Sequence, residues 1–185
     1  MSSVYVITGP SGVGKGTLIK ALRRAVPGLE LSTSATTRAP RAGEVDGIDY
    51  HFLDPAEFER RVESGDFLEH ATYSGNRYGT LRSEVDGRGA RGAPVVLEIE
   101  VQGARQVRES MPEAVQIFIA PPDPEALRER LRGRGTDSEE VIESRLQVAI
   151  DELAAQGEFP FTVVNDEVER AAAELAAIVR AREAG

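Results

Sequence analysis

The stretch Gly9-Pro10-Ser11-Gly12-Val13-Gly14-Lys15-Gly16-Thr17 fits the pattern G-x-x-x-x-G-K, and its reading decides the fold. Val4-Tyr5-Val6-Ile7-Thr8 before it reads as a buried strand, and Lys15–Ala25 reads as the helix that follows. A glycine-rich turn between strand and helix points successive backbone N–H groups at a phosphate. The helix N-terminus adds partial positive charge. Lys15 is placed to reach the β- and γ-phosphates of a nucleoside triphosphate and follow the transferring group, which makes it a catalytic candidate. Position 16 departs from the pattern: Gly16 stands where the general motif has a Ser or Thr on magnesium. No direct protein ligand to Mg²⁺ is therefore expected. The ion comes with the triphosphate, and Thr17 can touch it through water.

Working outward, Val95–Ile99, Val115–Ile119 and Phe161–Val164 are further apolar runs without the polar alternation of a half-exposed sheet. Helices are expected between and after them. Asp123 and Pro124 open one over Pro124–Leu131. Val141, Ile142, Leu146, Ala149, Ile150 and Leu153 recur at helical spacing in a second, for which Thr136 and Glu139 would form a capping box. A last helix covers about Glu167–Arg182. Strands alternating with helices imply an α/β fold of three layers, a parallel sheet covered on both faces.

Two stretches break that rhythm. Residues 35–90 hold an Asp46-Gly47 turn, strand-like pieces at Asp49–Leu53 and Phe67–Tyr73, and a short helix opened by Asp54-Pro55-Ala56-Glu57. They read as an inserted subdomain that binds the second substrate. Residues 132–140 are rich in Gly and Arg and read as a mobile lid, which with the helix after it extends to about 154. The core is left with about 1–34, 91–131 and 155–185.

Composition narrows the function. The 185 residues, 41% hydrophobic and 29% charged, fit one globular domain. Without cysteine there are no disulfides or thiolate metal sites. Val4-Tyr5-Val6-Ile7 is too short for a signal peptide, and no run approaches the length of a membrane span, so a soluble, cytoplasmic protein is expected. A net charge of −9 argues against a nucleic-acid surface. Of the 22 basic residues only Lys15 and Lys20 are lysines, and one of those two sits in the glycine-rich loop.

The acceptor is read from a second constellation, Ser34-Ala35-Thr36-Thr37-Arg38-Ala39-Pro40-Arg41, followed by Asp49-Tyr50-His51-Phe52. Two arginines three apart offer forked donors to a phosphate dianion, and Tyr50 can add a hydroxyl. Glu69, Tyr78 and Thr80 supply a carboxylate, a phenol and a hydroxyl further on. Taken singly, these residues could equally be solvated loop charges and packing aromatics. His51 and His70 have no companion at metal-ligand spacing and receive no role.

Taken together, the motifs resemble those of guanylate kinase nearly from end to end. The resemblance includes the loop, Ser34–Arg41, Gly43-Glu44-Val45-Asp46-Gly47, Tyr78-Gly79, Gln102-Gly103, Arg132-Gly133-Arg134-Gly135-Thr136 and Val164-Asn165-Asp166. It implies ATP and GMP as the small-molecule partners and transfer of phosphate from ATP to GMP, with Mg²⁺. It also implies that Arg38, Arg41, Tyr50 and Tyr78 hold the GMP phosphate, and that Ser34, Glu69, Thr80 and the acid at 100 read guanine. Arg130 and Arg134 would close on ATP, Arg145 would reach the transferring phosphate, and Asn165 would lie near the adenine of ATP. By this reading Arg38, Arg134 and Arg145 join Lys15 in catalysis. Asn165 or Asp166 could instead cap the last helix.

The chemistry agrees. A carboxylate accepts from guanine N1–H and the N2 amino group, whereas adenine would turn an acceptor toward it. Where the family usually has Asp, this chain has Glu100, one methylene longer. Two rivals stay open: a kinase for another monophosphate such as AMP, and a non-catalytic binding module of the same fold.

Overall fold

The structure, a computed structural model, describes residues 3–73, 75–132 and 139–184. Its elements in chain order are β1 (Val4–Thr8), α1 (Lys15–Ala25), β2 (Glu30–Leu31), β3 (Ala35–Thr36), β4 (His51–Phe52), α2 (Pro55–Glu63), β5 (Phe67–Tyr73), β6 (Asn76–Leu81) and α3 (Arg82–Gly89). They continue with β7 (Val95–Glu98), α4 (Val101–Ser110), β8 (Val115–Ala120), α5 (Pro124–Arg132), α6 (Glu139–Ala154), β9 (Phe161–Val164) and α7 (Val168–Glu183).

The main sheet runs β2-β7-β1-β8-β9, with every pairing parallel. Alternation along the strands builds both faces. Tyr5, Ile7, Ile117 and Ile119 pack with Leu18, Leu22, Leu175 and Val179 of α1 and α7. Val4, Val6, Val95 and Leu97 pack with Val101, Ala104 and Val107 of α4. Strands buried on both faces are what continuous apolar runs require. From β1 the chain passes through α1 to β2 on one side of it, and from β7 it passes through α4 to β8 on the other. The crevice at the carboxyl end of β1 is therefore the switch point of the sheet, where the glycine-rich loop begins.

The stretch 35–90 carries a second sheet, in the order β4-β3-β6-β5, with a small core of Ala35, Phe58, Phe67 and Leu81. Asp54 caps α2 through the Glu57 N–H, and Gly47 makes its turn by donating to the Tyr50 carbonyl at 2.8 Å. Val85 on α3, by contrast, is buried in the cluster beneath the main sheet. The insert's own sheet thus ends at Leu81, and α3 returns to the core.

Asp123 caps α5, its carboxylate accepting from the Ala126 N–H at 2.7 Å. On α6, Ile142, Leu146 and Ala149 are buried, but Ile150 is 52% exposed, contrary to its expected place on that face. It lies about 80° around the helix from Ile142 and about 40° beyond Leu146, at the outer edge of that stripe. Gly133, Arg134, Gly135 and Thr136, and with Thr136 the expected capping box, lie outside the described residues. Among the described residues no helix is long and apolar enough to cross a membrane.

Candidate active site

The loop is held from behind. Gly14 caps α1 at φ 95, and a Cβ there would approach the Asn165 Nδ2 to 2.7 Å, so only glycine fits. That Nδ2 donates to the Val13 carbonyl at 2.7 Å. Arg130 donates to the same carbonyl at 3.1 Å and to the Asn165 carbonyl at 2.8 Å. Lys15 folds over the turn, its Nζ donating to the Gly9 carbonyl at 2.5 Å and the Pro10 carbonyl at 3.3 Å. No side chain caps α1, so its first N–H groups face the crevice.

These contacts give two of the expected site residues a part in holding the loop. Asn165 is 3% exposed and ties the last strand to the loop, with its amide committed to Val13. Its Nδ2 serves the loop while its Oδ1 is buried without a hydrogen-bond partner among the described residues, and the cap of α7 falls at Glu167 instead. Arg130 likewise braces the back of the loop. Neither role was legible, because both depend on β9 ending beside β1's loop. Val13 is also inward: its side chain is buried in the main core, and its N–H donates to Pro10.

In front of the loop lies a cavity of about 600 Å³ that brings the two halves of the sequence reading together. Ser11, Gly12, Gly14, Lys15, Gly16 and Thr17 line one side; Ser34, Tyr50, Glu69, Tyr78 and Glu100 line the other. A cleft of about 1010 Å³ beside it is bounded by Arg38, Arg41, Tyr78, Glu100, Arg145 and Glu152, so Arg145 borders both spaces.

The arginine pair is organised by a residue to which no role was given. Glu44 accepts from Arg38 Nη2 at 2.8 Å and from the Arg41 backbone N–H at 2.7 Å. The Arg38 guanidinium also stands 5.2 Å from the centre of the Tyr50 ring, and the Tyr50 and Tyr78 rings meet edge-on at 6.2 Å. The Arg38 guanidinium holds the Glu44 carboxyl below its usual range.

Glu69, Glu98 and Glu100 line the cavity and Glu152 borders the cleft, and burial pushes the pKa of each upward. Glu69, 5% exposed, is raised to about 7, with partial relief from Thr80 and a further push from Glu100. Glu98 is raised despite Lys15 and Lys20, and Glu100 is raised by burial and then by Glu152. Glu152 is raised despite Lys15 and the Ser11 N–H. Desolvated carboxylates of this kind favour a ligand that brings donors or cations. Glu98 and Glu152 were not found in the sequence. Glu98 meets the loop only because β7 pairs with β1, setting Ile7 opposite Glu98. For Glu152 there was a usable signal: it lies seven residues after Arg145, on the same helix face.

Thr80 differs from expectation. It is fully buried, and its hydroxyl donates to Glu69 Oε1 at 2.7 Å, so it orients the acid rather than facing the cavity. His51 approaches Glu84 Oε1 at 3.0 Å, while Glu84 Oε2 accepts from the Thr33 N–H and Arg88, tying the insert to α3 and the end of the main sheet.

A family model described as guanylate kinase matches residues 1–182. A guanylate kinase of Synechococcus sp. (strain CC9311) is 58% identical over 170 residues, covering 92% of this chain and 90% of that protein. One of Thermobifida fusca (strain YX) is 54% identical over 176 residues, covering 95% of this chain and 90% of that protein. The crystal structure of guanylate kinase from Anaplasma phagocytophilum superposes with a TM-score of 0.78 at 34% identity, covering 98% of this chain and 86% of that one.

Proposed function

The chain belongs to the guanylate kinase family, and from that premise we propose which of its residues carry the reaction and what surrounds it. It is a phosphotransferase that moves the γ-phosphoryl group of ATP to GMP, giving ADP and GDP. The observation that carries the residue assignment is the single cavity in which the glycine-rich loop faces Ser34, Glu69 and Glu100.

ATP lies on the Gly9–Thr17 loop, its phosphates against the N-terminus of α1 and Lys15. GMP lies across from it, with its phosphate on Arg38, Arg41, Tyr50 and Tyr78. Glu44 keeps the Arg38 fork in place until that phosphate, a stronger bidentate acceptor, arrives. The base turns N1–H and N2 toward Glu69, with Ser34 and Glu100 alongside. The GMP phosphate is already an anionic nucleophile, so the enzyme contributes position and charge rather than a base. Lys15, Arg38, Arg145 and, from the lid, Arg134 neutralise the phosphoryl group in transit. Residues 35–90 and the lid at about 132–154 close over the two nucleotides and exclude water.

The residues present also fit Mg²⁺. Residue 16 carries no side chain, and the Glu98 carboxylate comes within 3.7 Å of where a Cβ there would stand. Its raised proton affinity marks a buried negative charge that a cation would relieve. Glu98 and Thr17 would hold the ion through its water shell, and the ion would supply charge neutralisation on the triphosphate. ATP, GMP and Mg²⁺ coexist in the cytoplasm, where we place this step of purine nucleotide metabolism.

The experiment is a coupled assay with Mg-ATP over GMP, AMP, dTMP, UMP and CMP, repeated with Glu69→Gln. GMP should lead by about 10⁴-fold over AMP in kcat/KM, and the variant should lose most of that lead. A preference for AMP, or an unchanged profile in Glu69→Gln, would overturn the assignment of the base site.

A further inference from the structure

Glu69 is held in place by more than its own strand. β5 pairs with β6 at Phe67↔Leu81, but by Glu69 the register has shifted one residue, so Glu69 stands opposite Thr80 rather than Gly79. Such a bulge re-aims the side chains beyond it. The Thr80 hydroxyl then fixes Oε1.

The other side of Glu69 is formed by α4, which belongs to the main core. β5 is the edge strand of the second sheet, and its outward backbone groups are met by α4. The Gln106 amide takes both polar groups of His70, accepting from its N–H at 3.0 Å and donating to its carbonyl at 2.7 Å. Ser110 Oγ lies 3.3 Å from the Leu68 carbonyl. One turn before Gln106, Gly103 faces the Glu69 carboxylate. A Cβ there would overlap Oε2 and come within 3.1 Å of the carboxyl carbon. Its remaining close neighbour, Ile99 Cδ1, would be at an ordinary 3.4 Å.

We propose that Gly103 and Gln106 are specificity-determining positioning residues: the missing side chain at 103 and the double amide bond at 106 hold Glu69 in the one orientation that accepts from guanine. The proposal rests on the reading of Glu69 as the guanine acceptor. Since Glu100 is the residue from which α4 starts, the same helix sets the position of both acids across the cavity. An alanine at 103 pushes the carboxylate aside by about an ångström, a displacement that can cost a hundredfold in rate.

The test is a double-mutant cycle of Gly103→Ala and Glu69→Ala, reading GMP and IMP with ATP as control. IMP keeps N1–H and O6 but lacks the N2 amino group, so the GMP/IMP ratio reports on the carboxylate. Gly103→Ala should raise KM for GMP by about a hundredfold and lower the GMP/IMP ratio by about tenfold, leaving KM for ATP unchanged. In the Glu69→Ala background the same change should cost nothing further, because there is no carboxylate left to displace. Gln106→Leu should shift KM and the ratio in the same direction, by about tenfold. Losses that add in the double variant, or a Gly103→Ala enzyme with an unaltered ratio, would overturn the proposal alone. An unaltered ratio in Glu69→Ala would overturn the Glu69 reading and the proposal with it.

Discussion

Glu152 accepts a hydrogen bond from the backbone N–H of Ser11 at 3.2 Å, so a carboxylate from α6 occupies an amide of the phosphate loop. Two helical turns earlier, Arg145 Nη2 donates to Ser11 Oγ at 3.1 Å. One helix therefore offers the same serine an anion and a cation, and a triphosphate must come to terms with both.

Replacing Glu152 with Gln removes the charge while keeping the shape. Relieving one such repulsion should raise ATP affinity by about tenfold, or about 1.4 kcal/mol. Arg145→Ala should move affinity the other way. Calorimetric titration with ATP alone checks both, and weaker binding in Glu152→Gln would show that the carboxylate instead holds the loop in its binding form.

GMP recognition should depend on pH through Glu69. Burial raises its carboxyl to about 7, and only the ionised form accepts from N1–H and N2. As pH falls from 7.5 to 6, log KM for GMP should rise toward a slope of about one per pH unit. The phosphate of GMP protonates with a pKa near 6, so the window above that isolates the protein group. Glu69→Gln should flatten the profile. The linked effect on folding has the opposite sign. An acid with a raised folded pKa binds its proton more tightly when folded, so nucleotide-free enzyme should gain stability relative to Glu69→Gln as pH falls from 7 toward the ordinary carboxylate range.

Lys15→Ala should lower kcat by about 10³-fold or more while leaving the fold intact, because its amine sits at the cavity, where it donates to the Gly9 and Pro10 carbonyls, and not in the hydrophobic core. Circular dichroism and a steady-state assay together check this. Near-normal turnover would remove Lys15 from the mechanism.

The main-sheet elements that were legible are those whose instructions are local. β1 and α1 lie where the apolar run and the loop require, and Asp54 and Asp123 cap the helices they were expected to open. What escaped was non-local or weakly encoded. β3 has two residues and exists only through β4 and β6. α3 carries two glycines in eight residues, and at the start of α4 the N-cap residue Glu100 makes no side-chain cap hydrogen bond.

The same division runs through the active site. By itself the sequence determined the phosphate loop, the arginine pair and the acids available for a base, because glycine spacing and side-chain chemistry are properties of residue type. The tertiary structure decided which groups face the ligand. Thr80 and Asn165 turn inward to brace Glu69 and the loop, while Glu98, Glu152 and Gly103 reach the cavity from strands and helices far along the chain. Orientation of this kind is set by bulge, register and burial, which depend on what each segment packs against.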